Sequence, residues 1–397
     1  MSFSSKIYSS KEEIDTDKLR CWLEINLSNL KNNIESIKNI ISDDLDIISV
    51  VKANSYGLGA VNIAKYLASI GIKYFAVATL EEALELRVNA NIKEEIIILS
   101  WTPPSEKETL IKYGLTQTLI DYEYAKKMNE LPGILKCHVK IDTGMNRFGQ
   151  SVNEIENIKE IYSFKNLKVF GIFSHLCRVR EFGEEPDNFT RMQIENFNIV
   201  IEQLEKEGIN VGLKHIMNSF GILRFNDRRY NLVRPGLLMY GVSPDPDNQE
   251  IDKLLDENKF KPVASLRCKV MTTKIIEKGE KVGYNSKFIA DEQSKIATIS
   301  IGYADGLSFA SSRNDFRVII KGYLCPVIGN VCMDSTIVKI PMESDIQEGD
   351  IVTLFGYIED EEEHLNHKEF LTKSGAPIGE TDLPLIINKI WIDSDFN

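Results

Sequence analysis

Between residues 45 and 235, short apolar segments alternate with stretches of helical periodicity, and this alternation is the strongest constraint on the fold. The segments with the length and the Val, Ile and Leu content of buried strands are 45–52, 72–78, 95–100, 115–120, 135–141, 167–174, 213–217 and 230–234. The stretches between them, such as 80–90 and 188–208, have the apolar spacing of amphipathic helices. A strand followed by a helix, repeated eight times, predicts a parallel (β/α)8 barrel of the α/β class.

After Tyr240 the pattern changes to short alternating strands, which follow a polar stretch at 244–262 and have little helix between them. At 397 residues the chain is too long for one ordinary core. We therefore predict an N-terminal segment 1–20, a barrel 21–254 and a mostly-β domain 255–397. The strand-like segment 21–27 precedes the barrel strands, and we expect it to join the β domain.

The composition is that of an acidic globular protein, with 47 Lys+Arg against 59 Asp+Glu and a net charge of −12. Duplex nucleic acid is disfavoured as a partner because binding it requires a basic face. No apolar run has the roughly 18 residues of a membrane span, and the first twenty residues lack signal or transit features. Six scattered cysteines without a CxxC pair indicate reduced thiols and no metal site, so we expect a cytoplasmic protein.

Polar residues follow several of the predicted barrel strands at their carboxyl ends, where such barrels place their active sites. Lys52 ends the first strand, and Tyr56 lies one short loop away. Burial lowers the pKa of a strand-end lysine and suits it to form a Schiff base with an aldehyde, although a lysine that merely extends into solvent is the alternative. Lys140 and Arg147 follow the fifth strand and His175 the sixth, and their convergence on one mouth favours a catalytic site.

The segments after strands seven and eight are suited to phosphate, which barrels commonly bind there with small hydroxyls, glycine and backbone amides. The candidates are Asn218, Ser219, Gly236 and Leu237, although an ordinary polar turn is the alternative for the first two. A Schiff-base lysine and a phosphate site at one mouth point to pyridoxal 5′-phosphate. A nucleotide-binding P-loop does not occur, and the two strand-end carboxylates of a glycosidase are not found.

Eight short motifs follow one another along the chain: VVKANSYGLG, KIDTGMNRFG, FSHLC, HIMNS, VRPGLLMYG, KVGY, IGYADG and GNVCMDS. In this order and spacing they resemble the alanine racemase family of pyridoxal-phosphate enzymes. The likeness runs from about Cys21 to about Gly356. It implies a barrel followed by a β domain, which is the architecture that the periodicity predicts independently.

The resemblance implies catalytic roles for four residues. Lys52 matches the lysine that binds the cofactor and acts as base on one face of Cα, and Tyr284 matches the base on the opposite face, contributed by the partner subunit of a head-to-tail homodimer. His175 and Arg234 match the hydrogen-bonded pair behind that tyrosine, and Arg234 also faces the pyridine nitrogen. The implied activity is interconversion of L- and D-alanine, or of a related small or polar amino acid such as serine.

Binding roles follow from the same resemblance. Arg147 matches a contact to the cofactor's phenolic oxygen and to the substrate carboxylate, and Met333 of the partner subunit matches a second carboxylate contact. Lys140 matches a lysine that is often carbamylated, which would orient Arg147. Phosphate contacts are matched by Tyr56, Ser219, Gly236 and Leu237.

Two positions depart from the family's pattern. A closing T-x-Y-E segment reads here Thr381-Asp382-Leu383-Pro384, so Leu383 replaces a tyrosine, and Arg180 stands where an entrance acid is common after the histidine. Both positions concern the substrate entrance, which suggests a substrate with a larger polar or anionic side chain. The alternative is that another residue compensates and alanine remains the substrate.

Two other function classes stay open. A lyase of the same fold, such as a D-threonine-type aldolase or a decarboxylase, would share Lys52 but would not need Tyr284 as a second base. A non-catalytic cofactor carrier would resemble the barrel alone, and the β domain argues against it.

Overall fold

A computed structural model describes residues 7–8, 16–225, 227, 229–243, 248–312, 315–356 and 388–392. The chain divides into two compact units: the barrel unit, Ile34–Met239, and the β unit, Met1–Asn33 with Tyr240–Asn397. The sequence places the boundary at residue 254, whereas the units separate between Met239 and Tyr240. No helix in the described ranges is long and apolar enough to cross a membrane.

The described strands are β1 (Ile7–Tyr8), β2 (Cys21–Asn26), β3 (Asp46–Val50), β4 (Tyr74–Val77), β5 (Glu95–Ile98), β6 (Thr116–Leu119), β7 (Leu135–Asp142), β8 (Gln150–Ser151), β9 (Leu167–Phe173), β10 (Leu213–His215), β11 (Leu232–Val233), β12 (Ala264–Ile276), β13 (Lys281–Val282), β14 (Phe288–Ile289), β15 (Ser294–Ile299), β16 (Arg317–Ile320), β17 (Tyr323–Pro326), β18 (Thr336–Ile340), β19 (Ile351–Phe355) and β20 (Asn388–Ile392). The described α-helices are α1 (Leu27–Ile40), α2 (Lys52–Tyr56), α3 (Ala60–Ser69), α4 (Leu80–Leu84), α5 (Lys107–Lys112), α6 (Tyr122–Glu130), α7 (Ile155–Ser163), α8 (Glu184–Lys206), α9 (Ser219–Arg224) and α10 (Gln249–Glu257).

The barrel unit contains a parallel sheet in the order β10-β9-β7-β6-β5-β4-β3-β11, with β8 beside β7. A parallel bridge between Asn218 and Arg234 joins β10 to β11, together with the bond from the Arg234 amide to the Met217 carbonyl at 2.8 Å. These contacts close the sheet. All eight predicted barrel strands are confirmed, and the (β/α)8 prediction with them.

Inside the barrel unit, alternate residues of β3 contribute to one apolar cluster, as expected for the period of a strand. Ile48 and Val50 pack there with Ala76, Ile97 and Leu232. Tyr56 packs against the same cluster although it follows β3 in the chain. The core therefore fixes the segment that begins at Lys52.

The β unit is built around the long strand β12, which pairs antiparallel with β2, β15 and β19. A mostly antiparallel domain is confirmed, and β20 adds a strand parallel to β2. The helix α10 forms within the polar stretch at 244–262, for which the sequence predicts no element. It forms because Asn248 accepts a hydrogen bond from the Ile251 amide at 3.2 Å and because Ile251 and Leu255, four residues apart, are both buried.

Candidate active site

A cavity of about 470 Å³ lies in the barrel unit and is lined by residues from the carboxyl ends of its strands. This volume suits a small cofactor together with a small substrate. The lining includes all the predicted site residues of this unit: Lys52, Tyr56, Lys140, Arg147, His175, Arg180, Asn218, Ser219, Arg234, Gly236 and Leu237. Five of these are Lys or Arg, and the described lining contains no Asp or Glu.

Lys52 begins α2, which is not a right-handed helix. Ala53, Asn54, Ser55 and Tyr56 have φ values of 51° to 54°, in the left-handed region. Each such non-glycine residue costs about 1–2 kcal/mol, so the turn requires contacts from outside itself. The amide of Ala53 donates to the Glu82 carboxylate at 2.6 Å, and the Tyr56 ring packs against the barrel core.

Tyr56, Ser219 and Gly236 meet at one part of the cavity. A methyl group at Gly236 would overlap the Tyr56 hydroxyl oxygen, so only glycine leaves room for it. The Ser219 hydroxyl oxygen accepts hydrogen bonds from the amides of Gly236 at 2.9 Å and Leu238 at 3.3 Å. Because a hydroxyl has two lone pairs and one hydrogen, the hydrogen of Ser219 is left to donate to an anion.

Arg234 lines the cavity, is buried, and donates to several acceptors at once. Its guanidinium contacts Nδ1 of His215 at 2.7 Å, the Ser174 carbonyl at 2.7 Å and Nδ1 of His175 at 3.4 Å. Burial lowers the pKa of Arg234 to about 9, so it stays charged at neutral pH. It is a fixed hydrogen-bond donor.

This donor sets the tautomers of the histidines around it. Because Arg234 can only donate, Nδ1 of His215 accepts, and its Nε2–H donates to Nδ1 of His138 at 2.9 Å. His175 likewise accepts at Nδ1 and carries its proton on Nε2. Burial, followed by the charge of Arg234, lowers the pKa of His138 to about 3 and that of His175 well below its usual value, so both are neutral.

Lys140 is buried on β7, where its Nζ donates to the Ile141 carbonyl at 2.8 Å and lies 5.4 Å from the centre of the Phe173 ring. Burial, followed by the charge of Arg234, lowers its pKa to about 7. A large fraction of this amine is therefore uncharged at neutral pH. Arg147, on the loop that follows, is exposed.

The segment from His175 to Arg180 is held by α8 and α9. Gln193 accepts from the Cys177 amide at 3.1 Å and donates to the His175 carbonyl at 3.2 Å. Arg224 donates to the Val179 carbonyl at 2.8 Å. Arg180 itself is exposed at the edge of the cavity.

Two predicted residues belong to the β unit rather than to the unit with the cavity. Tyr284 is 69% exposed, stands in the turn between β13 and β14, and its carbonyl accepts from Nδ2 of Asn330 at 3.0 Å. Met333 is 53% exposed. Leu383 lies outside the described residues.

Three residues near the cavity were missed in the sequence. His138 stands two residues before Lys140 on one strand, so period-two alternation could have placed it on the same face. His215 lies within the motif HIMNS but has no role assigned there. Glu82 belongs to a Thr79–Glu82 capping box, which signals a helix start and says nothing of the contact to Ala53.

Comparison with known proteins matches residues 25–244 to the family described as "Alanine racemase, N-terminal domain" and residues 263–377 to "Alanine racemase, C-terminal domain". An "Alanine racemase 2" of Caldanaerobacter subterraneus subsp. tengcongensis is 37% identical over 340 residues, which cover 84% of this chain and 85% of that protein. An "Amino-acid racemase" of Enterococcus faecalis is 35% identical over 385 residues, 96% of this chain, but the chain spans only 53% of that relative. Among solved structures, an alanine racemase of Clostridium difficile 630 has a TM-score of 0.85 at 33% identity, and the match covers 95% of this chain and 97% of that one.

Proposed function

Because the chain belongs to the alanine racemase family, we propose that it is a pyridoxal 5′-phosphate-dependent racemase of alanine or of a related small or polar amino acid such as serine. The observation that supports this most is the composition of the cavity. It combines a strand-end lysine, a fixed guanidinium and a group of hydroxyl and amide donors.

The residues of the cavity fit this cofactor. Burial raises the pKa of Tyr56, so its hydroxyl remains a donor at neutral pH, and Ser219 has a hydrogen to donate. With the Leu237 amide, which begins a 3-10 turn and has no acceptor within it, they suit a phosphate. The cofactor, when bound, supplies an electron-accepting ring that stabilises the negative charge left at Cα when the α proton departs.

Lys52 would hold the cofactor covalently through its amine and, when its amine is free, would move a proton at one face of Cα. Arg234 would face the pyridine nitrogen of the cofactor, and as a guanidinium it would keep its own proton. This would leave the ring a weaker electron acceptor and would favour return of the proton to Cα over other fates of the negative charge.

Inversion needs a second base on the opposite face, and we assign it to Tyr284 of the partner subunit in a head-to-tail homodimer. The high exposure of this phenol in a single chain supports a role toward another subunit. A phenol ordinarily titrates near 10 and needs help to act near neutrality. The Nε2–H of neutral His175 provides a donor for a phenolate oxygen.

The substrate carboxylate is bound by Arg147 and by Met333 of the partner subunit. Lys140 is the site proposed for carbamylation, which would give a negative group to orient Arg147. Its pKa of about 7 supports this, because only an uncharged amine attacks carbon dioxide. Intact-mass measurement in bicarbonate buffer tests the modification.

Cofactor absorbance and chiral chromatography test the proposed function. Borohydride should fix the cofactor to Lys52, and L-alanine or a related L-amino acid should yield D-product. Lys52→Ala should lose the fixed cofactor and the activity. Tyr284→Phe should retain the cofactor and lose racemisation about 100-fold or more. Near-normal turnover of Tyr284→Phe would support the lyase and contradict the second-base role.

A racemase of a larger polar or anionic amino acid is the second candidate, and the charge of the cavity favours it. With five Lys or Arg side chains and no acid in the described lining, a second carboxylate on the substrate would be stabilised. We assign the contact with such a group to Arg180, and its exposure at the edge of the cavity supports this. The same screen decides, because faster turnover of L-alanine than of L-aspartate, L-glutamate and larger polar amino acids overturns this candidate.

The cytoplasmic location also stays a prediction, and cell fractionation tests it.

A further inference from the structure

We propose that Glu82 is a positioning residue that holds Lys52 and Tyr56 in place through one carboxylate, an inference that rests on the proposed function. Glu82 stands on α4 and is absent from the lining of the cavity. It acts through the backbone of its neighbours.

The carboxylate of Glu82 joins two separate strand ends. One oxygen accepts from the Ala53 amide at 2.6 Å, directly after Lys52. The other accepts from the Ala78 amide at 2.7 Å and the Thr79 amide at 3.3 Å, at the end of β4. The ends of β3 and β4 are thereby fixed to each other at the edge of the cavity, which Ala78 itself lines.

The turn from Ala53 to Tyr56 depends on such a contact. Its left-handed backbone is unfavourable for every one of its residues, and its backbone bonds run to residues next to it in the chain, including those from the Ser55 amide to Val51 and from the Gly57 amide to Ala53. The bond from Ala53 to Glu82 is the one that ties its first residue to another element. Since Lys52 directly precedes this turn and Tyr56 ends it, a change in its geometry moves the amine and the hydroxyl together.

A carboxylate suits this position better than an amide. Three N–H donors converge on two oxygens, and every one of them requires an acceptor. Glutamine would present an NH2 group to at least one of these donors. Glu82→Gln therefore changes the hydrogen bonding with almost no change in volume.

The chain offers a matched control in Thr79, whose hydroxyl caps the Glu82 amide at 3.3 Å. Thr79→Val removes this cap and leaves the three contacts of the carboxylate. Both variants weaken the start of α4, but only Glu82→Gln alters the contact to the turn.

The test compares three properties of the two full-length variants: affinity for pyridoxal 5′-phosphate, kcat and KM of racemisation, and hydrogen exchange of the peptide 50–59 without added cofactor. Glu82→Gln should bind the cofactor about tenfold more weakly, lower kcat more than KM, and exchange faster in that peptide. Thr79→Val should match the wild type in all three within about twofold.

The outcomes separate this inference from the proposed function. If the wild type racemises amino acids and Glu82→Gln behaves as Thr79→Val does, the positioning role is overturned and the function stands. If the wild type forms no D-product but Glu82→Gln still binds the cofactor more weakly and exchanges faster, the function fails and the positioning role stands. Unchanged exchange in Glu82→Gln overturns the positioning role whatever the activity.

Discussion

At the scale of single residues, the barrel unit maintains three uncharged histidines beside a buried cation. His138, His175 and His215 are all held neutral by burial and by the charge of Arg234. The arrangement is stable at neutral pH because His175 and His215 accept hydrogen bonds from Arg234, and His215 in turn donates one to His138. Protonating any one of them would place two positive charges close together away from water.

This predicts a loss of stability in acid. The pKa of His138 is about 3 in the folded protein against an ordinary value of 6.5, so between these values the unfolded chain binds the additional proton. The contribution of neutral His138 to the free energy of unfolding is complete above pH 6.5 and is lost as the pH falls toward 3. Over this range the free energy of unfolding decreases by up to about 1.4 kcal/mol per pH unit. The free energy of unfolding, measured by urea unfolding at several pH values between 7 and about 5, should decrease less steeply with falling pH in His138→Asn than in the wild type.

The packing cost of that substitution is measured separately at pH 8, where histidine is neutral in both the folded and the unfolded chain. If the free energy of unfolding depends equally on pH in the two proteins, a neutral buried His138 is contradicted.

The candidate site was predictable from the sequence wherever a residue ends a strand. Lys52 and His175 are of this kind, and the barrel rule alone brings them to one mouth. His138 and Glu82 were not predictable in the same way, because their contacts join residues that are 77 and 29 positions apart. No local pattern specifies such pairs.

At the scale of elements, the loop after β11 and the turn after β3 are fitted to each other through Gly236 and Tyr56. Gly236→Ala would place a methyl group onto the Tyr56 hydroxyl oxygen. We expect cofactor affinity to fall about tenfold or more, because the Tyr56 hydroxyl or the backbone amides must move. In a Tyr56→Phe background the same substitution should lower cofactor affinity much less. Titration of the wild type, the two single variants and the double variant with pyridoxal 5′-phosphate measures this coupling.

Equal losses of cofactor affinity in the wild-type and Tyr56→Phe backgrounds would show that Gly236 is required for a reason other than the tyrosine hydroxyl.

The elements differ in how far the sequence predicted them. The eight barrel strands follow from apolar runs, and α10 could have been found from the spacing of Ile251 and Leu255 after a capping Asn248. The left-handed turn at 53–56 could not, since Ala-Asn-Ser-Tyr has no glycine and each residue by itself favours right-handed backbone. Long-range contacts determine that conformation.

At the scale of the whole molecule, the proposed dimer places Lys52 of one chain with Tyr284 of the other. Lys52→Ala and Tyr284→Phe should each be inactive alone. Mixed dimers would contain one site with both substitutions and one with neither, so subunit exchange at equal amounts should restore up to about a quarter of wild-type activity. Measuring racemisation before and after exchange tests this, and no recovery would place both bases in one chain.

The bridge between Asn218 and Arg234 also has a consequence for synthesis of the protein. The strand β11 lies between β3 and β10. The first barrel strand to be synthesised, β3, therefore has one unpaired edge until the last, β11, has left the ribosome. The residues at and just after β11, Arg234, Gly236 and Leu237, are also those that complete the cavity. A nascent or truncated chain lacking them has neither a closed barrel nor the complete site proposed for the cofactor, so capture of the proposed cofactor would distinguish finished barrels from unfinished ones in the cell.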